Sequence, residues 1–301
     1  MEGQQITTVC IVGAGVMGEQ ISLSCAVHGY SCWLVDSSSD ALQNARSHQE
    51  AVLMAQDRSV KEKDAVLRRI HPTLRLAEGA AQADFVIETI PENLDLKRSL
   101  FRQLDELCSP RAVLASNSSS LRISKIEDAV KRKDRVLNMH FFGSGAAIVE
   151  LMRGSCTSDE TIAFACSLAR SLELIPIVLK KESTGFLYNR IWRAIKKEAL
   201  KIVDEGAATP EDVDRACMHM WSMFEKFLAG PFGYMDYVGL DTVLDIEMVY
   251  YDESRDESDL PPKFLLEKIE KGELGVKTGR GFYTYPNPKF LDPKWLKGEA
   301  E

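Results

Sequence analysis

Two sets of residues carry types and spacings that chemistry can use. The first is the run Gly13-Ala14-Gly15-Val16-Met17-Gly18, followed by Asp36 eighteen residues after Gly18. In a GxGxxG turn the first glycine permits a tight reversal and the second lets the backbone approach a pyrophosphate. The third lets a helix pack closely on the preceding strand. The helix that reads from Gly18 to Gly29 adds donors and positive potential for an anion at its N-terminus, with Val16 and Met17 of the turn also placed at the cofactor. Asp36 can accept hydrogen bonds from ribose hydroxyls and would repel a 2′-phosphate, which favours NAD over NADP. The bland reading is a structural turn that opens an α/β domain without a nucleotide. The second set is drawn from five histidines. His28 precedes Gly29 at a helix end, and His48 and His71 lie in polar stretches, so these three read as solvated or satisfied. His140 directly follows a β-like run at 135–139, where α/β sheets present side chains to ligands.

Both sets need a particular scaffold. Apolar β-like runs occur at 7–12, 31–36, 84–88, 112–116 and 135–139, separated by charged helical stretches, and two more follow at 148–152 and 175–179. The segment from 40 to about 70 reads as one long polar helix. This alternation implies a mostly parallel sheet covered on both faces. After Ser183 the pattern turns helical: Leu187, Ile191, Ile195, Ala199 and Ile202 share one face of a helix over 185–206. Thr209-Pro210-Glu211-Asp212 is a helix start, with a hydroxyl cap, proline in the first turn and acids behind it. The expected class is α/β, a doubly wound sheet of Rossmann type over 1–182 with an all-α domain over 183–301.

A net charge of -8 argues against a general nucleic-acid binder. Seven scattered cysteines without a CxxC pair suggest reduced, buried thiols and no zinc site. No apolar run approaches a membrane span, and the start MEGQQITTVC shows no basic or apolar leader pattern, so a cytoplasmic protein is expected.

Several blocks, in their order and spacing, resemble the 3-hydroxyacyl-CoA dehydrogenase family. They are Pro91-Glu92-Asn93-Leu94, Ala115-Ser116-Asn117-Ser118-Ser119-Ser120-Leu121, Met139-His140-Phe141-Phe142 and Thr184-Gly185-Phe186-Leu187-Tyr188-Asn189-Arg190. Further blocks are Gly230-Pro231-Phe232, Asp236-Tyr237-Val238-Gly239-Leu240-Asp241 and Lys277-Thr278-Gly279-Arg280-Gly281-Phe282-Tyr283, so the likeness runs nearly end to end. The resemblance implies an NAD-dependent oxidation of a secondary alcohol, most simply of a 3-hydroxyacyl-CoA. His140 would be the general base, a task that suits an imidazole titrating near neutrality. Glu150 would hold the other ring nitrogen, and Ser119 and Asn189 would orient the reacting oxygen. By the same resemblance Glu92, Lys97 and Asn117 contact the cofactor, and the helical domain carries a homodimer interface. Arg58, Lys61, Lys63, Arg68 and Arg69 lie where the family reaches toward CoA phosphates, or they form a solvated charged helix.

Two stretches depart from the family pattern. The family continues His-Phe-Phe-Asn-Pro, and this chain has Gly143-Ser144-Gly145, with about two residues fewer before Glu150. A bulky run at 217–227 replaces a short Gly-rich turn, and Gly233 stands where an acid is usual. These changes imply a remodelled substrate pocket, or, for 217–227, a helix that fills core or dimer interface. A same-fold dehydrogenase of a small non-CoA hydroxy acid or cyclic alcohol is therefore a rival. A crystallin-like structural protein that holds NAD without turnover is another.

Overall fold

The structure, a computed structural model, describes residues 5–57, 59–143, 146–210, 212–213, 216–217, 219–220, 230–296 and 299. Arg58, the Ser144-Gly145 pair, and Met218 with residues 221–227 of the bulky run lie outside the described residues.

The chain divides into two compact units, Met1–Ile195 and Lys196–Glu301. The first contains β1 (Thr8–Val12), α1 (Val16–Val27), β2 (Ser31–Val35), α2 (Ser39–Met54), α3 (Val60–Arg68), β3 (Ile70–Thr73) and α4 (Leu76–Gln82). It continues with β4 (Phe85–Glu88), α5 (Leu94–Leu107), β5 (Val113–Ser116), β6 (Val136–Phe141), β7 (Ile148–Arg153), α6 (Asp159–Ser171), β8 (Ile175–Val178) and the start of α7 (Tyr188–Asp204). The eight strands form one sheet in the order β3-β2-β1-β4-β5-β6-β7-β8. All neighbours are parallel except β6 and β7. The strand order reverses between β1 and β4, and such a switch point opens a crevice above the strands' carboxyl ends.

Two apolar cores cover the sheet. One face packs Ile11, Ile21, Phe85, Phe164 and Leu168. The other packs Val86, Leu100, Phe101, Leu104, Ile123 and Ile126. Complete burial of Phe85, Phe101 and Leu104 stabilises by roughly 1.5–3 kcal/mol for each side chain. β4 and β5 are buried at every position, which is why they read as continuous apolar runs rather than alternating ones.

The expected single helix from 40 to 70 is two helices and a strand. A second helix starts where Ser59 and Glu62 cap each other reciprocally at the head of α3. β3, with the sequence Ile-His-Pro-Thr, is an edge strand, where Pro72 costs no ladder hydrogen bond. Between β5 and β6 the chain forms three short 3-10 turns instead of an α-helix. His140 was expected just past a strand; it is inside one, because β6 extends to Phe141. The division between compact units falls inside α7, between Ile195 and Lys196. Phe186 is buried, and the Leu187 and Tyr188 amides bond Glu150 of β7, which ties the start of α7 to the first unit.

The second unit contains helices Pro231–Val238, Leu240–Ser254, Lys263–Glu270 and Pro293–Leu296. Its fully buried Asp236 accepts the Phe282 and Tyr283 amides at 2.8 Å each and the Tyr285 hydroxyl at 3.1 Å. Gly281 packs on that carboxylate, and any β-carbon there would strike it. Among the described residues no helix is long and apolar enough to cross a membrane.

Candidate active site

The Gly-rich turn sits at the switch point. Gly13 adopts φ +109°, in the region open chiefly to glycine, and a β-carbon on it would press on Thr89. A β-carbon on Gly18 would come within 1.8 Å of the Gly13 carbonyl, so α1 can seat on the turn only with glycine there. At Gly15 a β-carbon would meet no protein atom within 4 Å, since this backbone faces the cleft. Thr89 secures the turn by donating to the Val12 and Gly13 carbonyls at 3.1 and 2.9 Å. Asp36, just past β2, accepts the Ala14 amide at 2.7 Å and the Ser38 amide at 2.8 Å, which fixes its carboxylate beside the turn.

Two adjoining cavities share Gly15, Thr89 and Ile90 and make one cleft over the strand ends. The first, about 730 Å³, has Gly13, Asp36, Leu74, Leu76 and Leu100 in its walls. The second, about 470 Å³, is walled by Val16 and Met17, Glu92 and Lys97, Asn117 and Ser119, and His140. An elongated ligand with an apolar-flanked end near Asp36 and an anionic middle at the head of α1 fits this cleft. The residues present therefore suit a dinucleotide, and of those expected to bind it Gly13, Gly15, Val16, Met17, Asp36, Glu92, Lys97 and Asn117 line the two cavities, whereas Gly18 is buried beneath the turn.

His140 and Glu150 lie directly opposite each other in the antiparallel β6–β7 register, so both side chains share one face. Glu150 is fully buried, and its Oε2 lies 3.2 Å from His140 Nδ1. Its Oε1 accepts the Leu187 and Tyr188 amides at 3.1 and 2.8 Å. The imidazole is wedged between the rings of Phe142 and Phe186, with centroids 4.6 and 4.9 Å away. The short loop after Phe142 leaves this pairing intact, because both partners belong to strands. With Nδ1 committed to Glu150, Nε2 is the nitrogen left for the cleft. The Asn117 side-chain Oδ1 accepts the Phe141 amide at 2.8 Å and locks β6 to the end of β5. Ser119 is exposed on the cleft wall. Asn189 is half-buried in the first turn of α7 and is not among the residues lining these two cavities.

Asn93 caps α5 by accepting the Leu96 amide at 3.1 Å, which sets Lys97 on the first turn, looking back at the strand ends. Its ammonium donates to Glu88 at 2.5 Å and to the Ile90 carbonyl at 3.1 Å, and lies 3.4 Å from Glu92. Burial raises the Glu92 carboxyl, but hydrogen bonds from Ser118 and Ser120, the charge of Lys97 and the Leu121 amide outweigh it and hold it at about 2. Burial pushes Glu88 up, opposed by Lys97, Ser116 and the Ile90 amide.

Glu88, Thr89, Ser116 and Ser118 were not anticipated. Glu88 could have been found, because a carboxylate that ends an otherwise apolar strand is rarely buried without a cationic partner. Of the basic residues between 58 and 69, Lys61 and Arg68 are exposed. Arg69 instead donates to the Ala26 carbonyl at 3.2 Å, a structural bond. Among the described residues no cluster of His, Cys, Asp and Glu could hold a metal.

A family model for the NAD binding domain of 3-hydroxyacyl-CoA dehydrogenase matches residues 8–183, and one for its C-terminal domain matches 185–285. The chain is 34% identical over 288 residues to a probable 3-hydroxybutyryl-CoA dehydrogenase of Bacillus subtilis, covering 93% of this chain and 98% of the relative. The crystal structure of a 3-hydroxyacyl-CoA dehydrogenase from Archaeoglobus fulgidus superposes with a TM-score of 0.79 at 31% identity, covering 97% of this chain and 96% of that one. A 5-formyl-3-hydroxy-2-methylpyridine 4-carboxylate 5-dehydrogenase of Mesorhizobium japonicum is 29% identical over 285 residues, 93% of this chain and 91% of the relative.

Proposed function

The chain belongs to the 3-hydroxyacyl-CoA dehydrogenase family, whose N-terminal domain binds NAD, and from that premise we propose that it exchanges a hydride between NAD and the secondary alcohol of a 3-hydroxyacyl thioester. The observation that carries the reading is the His140–Glu150 pair, set in the cleft that begins at the Gly-rich turn. Bound NAD⁺ supplies the hydride acceptor. In the oxidative direction His140 Nε2 takes the hydroxyl proton as the carbon gives up its hydride, and the carbinol becomes a ketone. Glu150 fixes the proton of the resting imidazole on Nδ1 and stabilises the imidazolium that forms. Its own two backbone donors keep it from rotating away. General-base assistance of this type contributes roughly 10²–10⁴-fold. Ser119 donates to the reacting oxygen from the cleft wall, and Asn189 orients the substrate from the start of α7.

The substrate domain is residues 183–301, which also pairs two copies of the chain, and the protein works in the cytoplasm. The family resemblance of the helical blocks supports the pairing, and sedimentation at micromolar concentration tests it. One observation favours a second reading of the substrate. Gly143 stands where the family has asparagine, and one relative is named for a pyridine carboxylate rather than a thioester. Steady-state assays with 3-hydroxyacyl-CoA esters, free hydroxy acids and cyclic alcohols, each with and without free CoA, separate the two. Turnover of thioesters with inhibition by CoA is expected. Turnover of free acids alone, indifferent to CoA, would transfer the assignment to the second reading.

A further inference from the structure

Behind the Glu92 end of the cleft lies a group of charges that proton abstraction does not use. Glu88 is fully buried and Lys97 is 1% exposed. Each contact made by the Glu88 carboxylate comes from a donor: Lys97 Nζ at 2.5 Å, the Ile90 amide at 2.8 Å and the Ser116 hydroxyl at 2.6 Å. The Ser116 oxygen itself accepts the Ser118 amide at 3.2 Å, so its proton is free for Glu88. The Lys97 ammonium and the Ile90 amide can only donate, and the ammonium's charge at 2.5 Å favours the ionised carboxylate against its burial. Glu92 likewise receives only donors, from Ser118, Ser120, the Leu121 amide and Lys97. Two carboxylates answered by one ammonium leave one net negative charge. Lys97 lies nearer to Glu88, so the excess charge sits on Glu92, whose side chain is 38% exposed at the cleft wall.

We propose that the Glu88–Lys97–Glu92 cluster, with Glu88 as its buried anchor, sets the preference of this protein for oxidised over reduced cofactor. The nicotinamide ring is positively charged in NAD⁺ and neutral in NADH, whereas adenosine and pyrophosphate are the same in both. A fixed negative charge in the cleft wall therefore stabilises NAD⁺ selectively and lowers the tendency of the bound pair to be reduced. The proposal rests on the reading that the nicotinamide lies at the His140 end of the cleft. Glu88 touches no ligand in this scheme; it acts by position and charge.

The test is the ratio of the NAD⁺ and NADH dissociation constants, measured separately by calorimetry and by NADH fluorescence. Glu88→Gln brings the cluster to neutrality and is expected to weaken NAD⁺ about tenfold relative to NADH. Lys97→Met removes the ammonium that keeps buried Glu88 ionised, so Glu88 takes up a proton, the net charge stays at one negative and the ratio should stay close to wild type. The double variant restores the native net charge, and its ratio should return close to the wild-type value. If Glu88→Gln does not fold, Glu92→Gln carries the same charge change on a half-exposed side chain and should shift the ratio in the same direction. Variants that weaken both ligands equally, with the ratio unmoved, would overturn the proposal and leave the cluster a structural one. Failure of the wild-type protein to bind either form would instead overturn the cofactor reading.

Discussion

Glu150→Gln separates the charge of this carboxylate from its shape. Oε1 receives two backbone amides at 3.1 and 2.8 Å, and Oε2 faces His140 Nδ1 at 3.2 Å. In a site without solvent, glutamine has one low-energy orientation. Turning its NH₂ toward the Leu187 and Tyr188 amides would leave two buried donors facing a third, at about 1–3 kcal/mol for each unsatisfied group. Its carbonyl oxygen therefore takes the two amides and its NH₂ donates to Nδ1. That contact forces the imidazole proton onto Nε2, the nitrogen that must be bare to accept the alcohol proton. The same tautomer inversion costs about 10⁴ in kcat in a Ser-His-Asp triad. A loss of about 10³–10⁴ in kcat is expected here, with NADH affinity unchanged and the melting temperature close to wild type. NADH absorbance with 3-hydroxybutyryl-CoA as substrate, alongside a thermal melt, reads both effects. A kcat within tenfold of wild type in a folded variant would refute the assignment of Glu150 as tautomer guide.

Two glycines in one motif should respond in opposite ways. Gly15→Ala meets no protein atom and should leave stability within about 0.5 kcal/mol while weakening NAD by tenfold or more; Gly18→Ala drives a β-carbon into the Gly13 carbonyl and should cost about 1–3 kcal/mol by urea unfolding. Asp36→Asn keeps an acceptor for the Ala14 amide but removes the charge that repels a 2′-phosphate, so NADP should gain roughly tenfold relative to NAD in direct titrations. The folded Glu92 carboxyl, held at about 2, lies below its unfolded value near 4.3. Its contribution to stability is thus complete above about pH 5 and is lost as pH falls toward 2. The unfolding free energy from urea titrations should drop less between pH 6 and pH 3 in Glu92→Gln than in wild type, by about 1 kcal/mol once its solvent exposure is allowed for.

What was legible in the sequence was local. The first strand, the Gly-rich turn and α1 announce themselves because glycine positions and apolar runs act over a few residues. The reciprocal Ser59–Glu62 cap was equally local and should have split the long helix. β3 was hidden because four residues containing His71 and Pro72 present no alternation, and only neighbouring β2 makes them a strand. The His140–Glu150 pairing depends on one antiparallel register between β6 and β7. Spacing alone cannot supply that register; only the family resemblance suggested the pair. The Glu88–Lys97 contact joins a strand end to a helix turn across a loop, so its spacing matches neither a helical nor a strand period. The adjacency of the two cavities depends on strand order, which no single segment encodes.

The most direct measurement is His140→Gln, followed by NADH fluorescence titration and by turnover with 3-hydroxyacyl-CoA esters. If an imidazole in this cleft removes the alcohol proton, NADH should bind with wild-type affinity while turnover falls by about 10²–10⁴-fold. Unchanged turnover in the folded variant would contradict that role for His140.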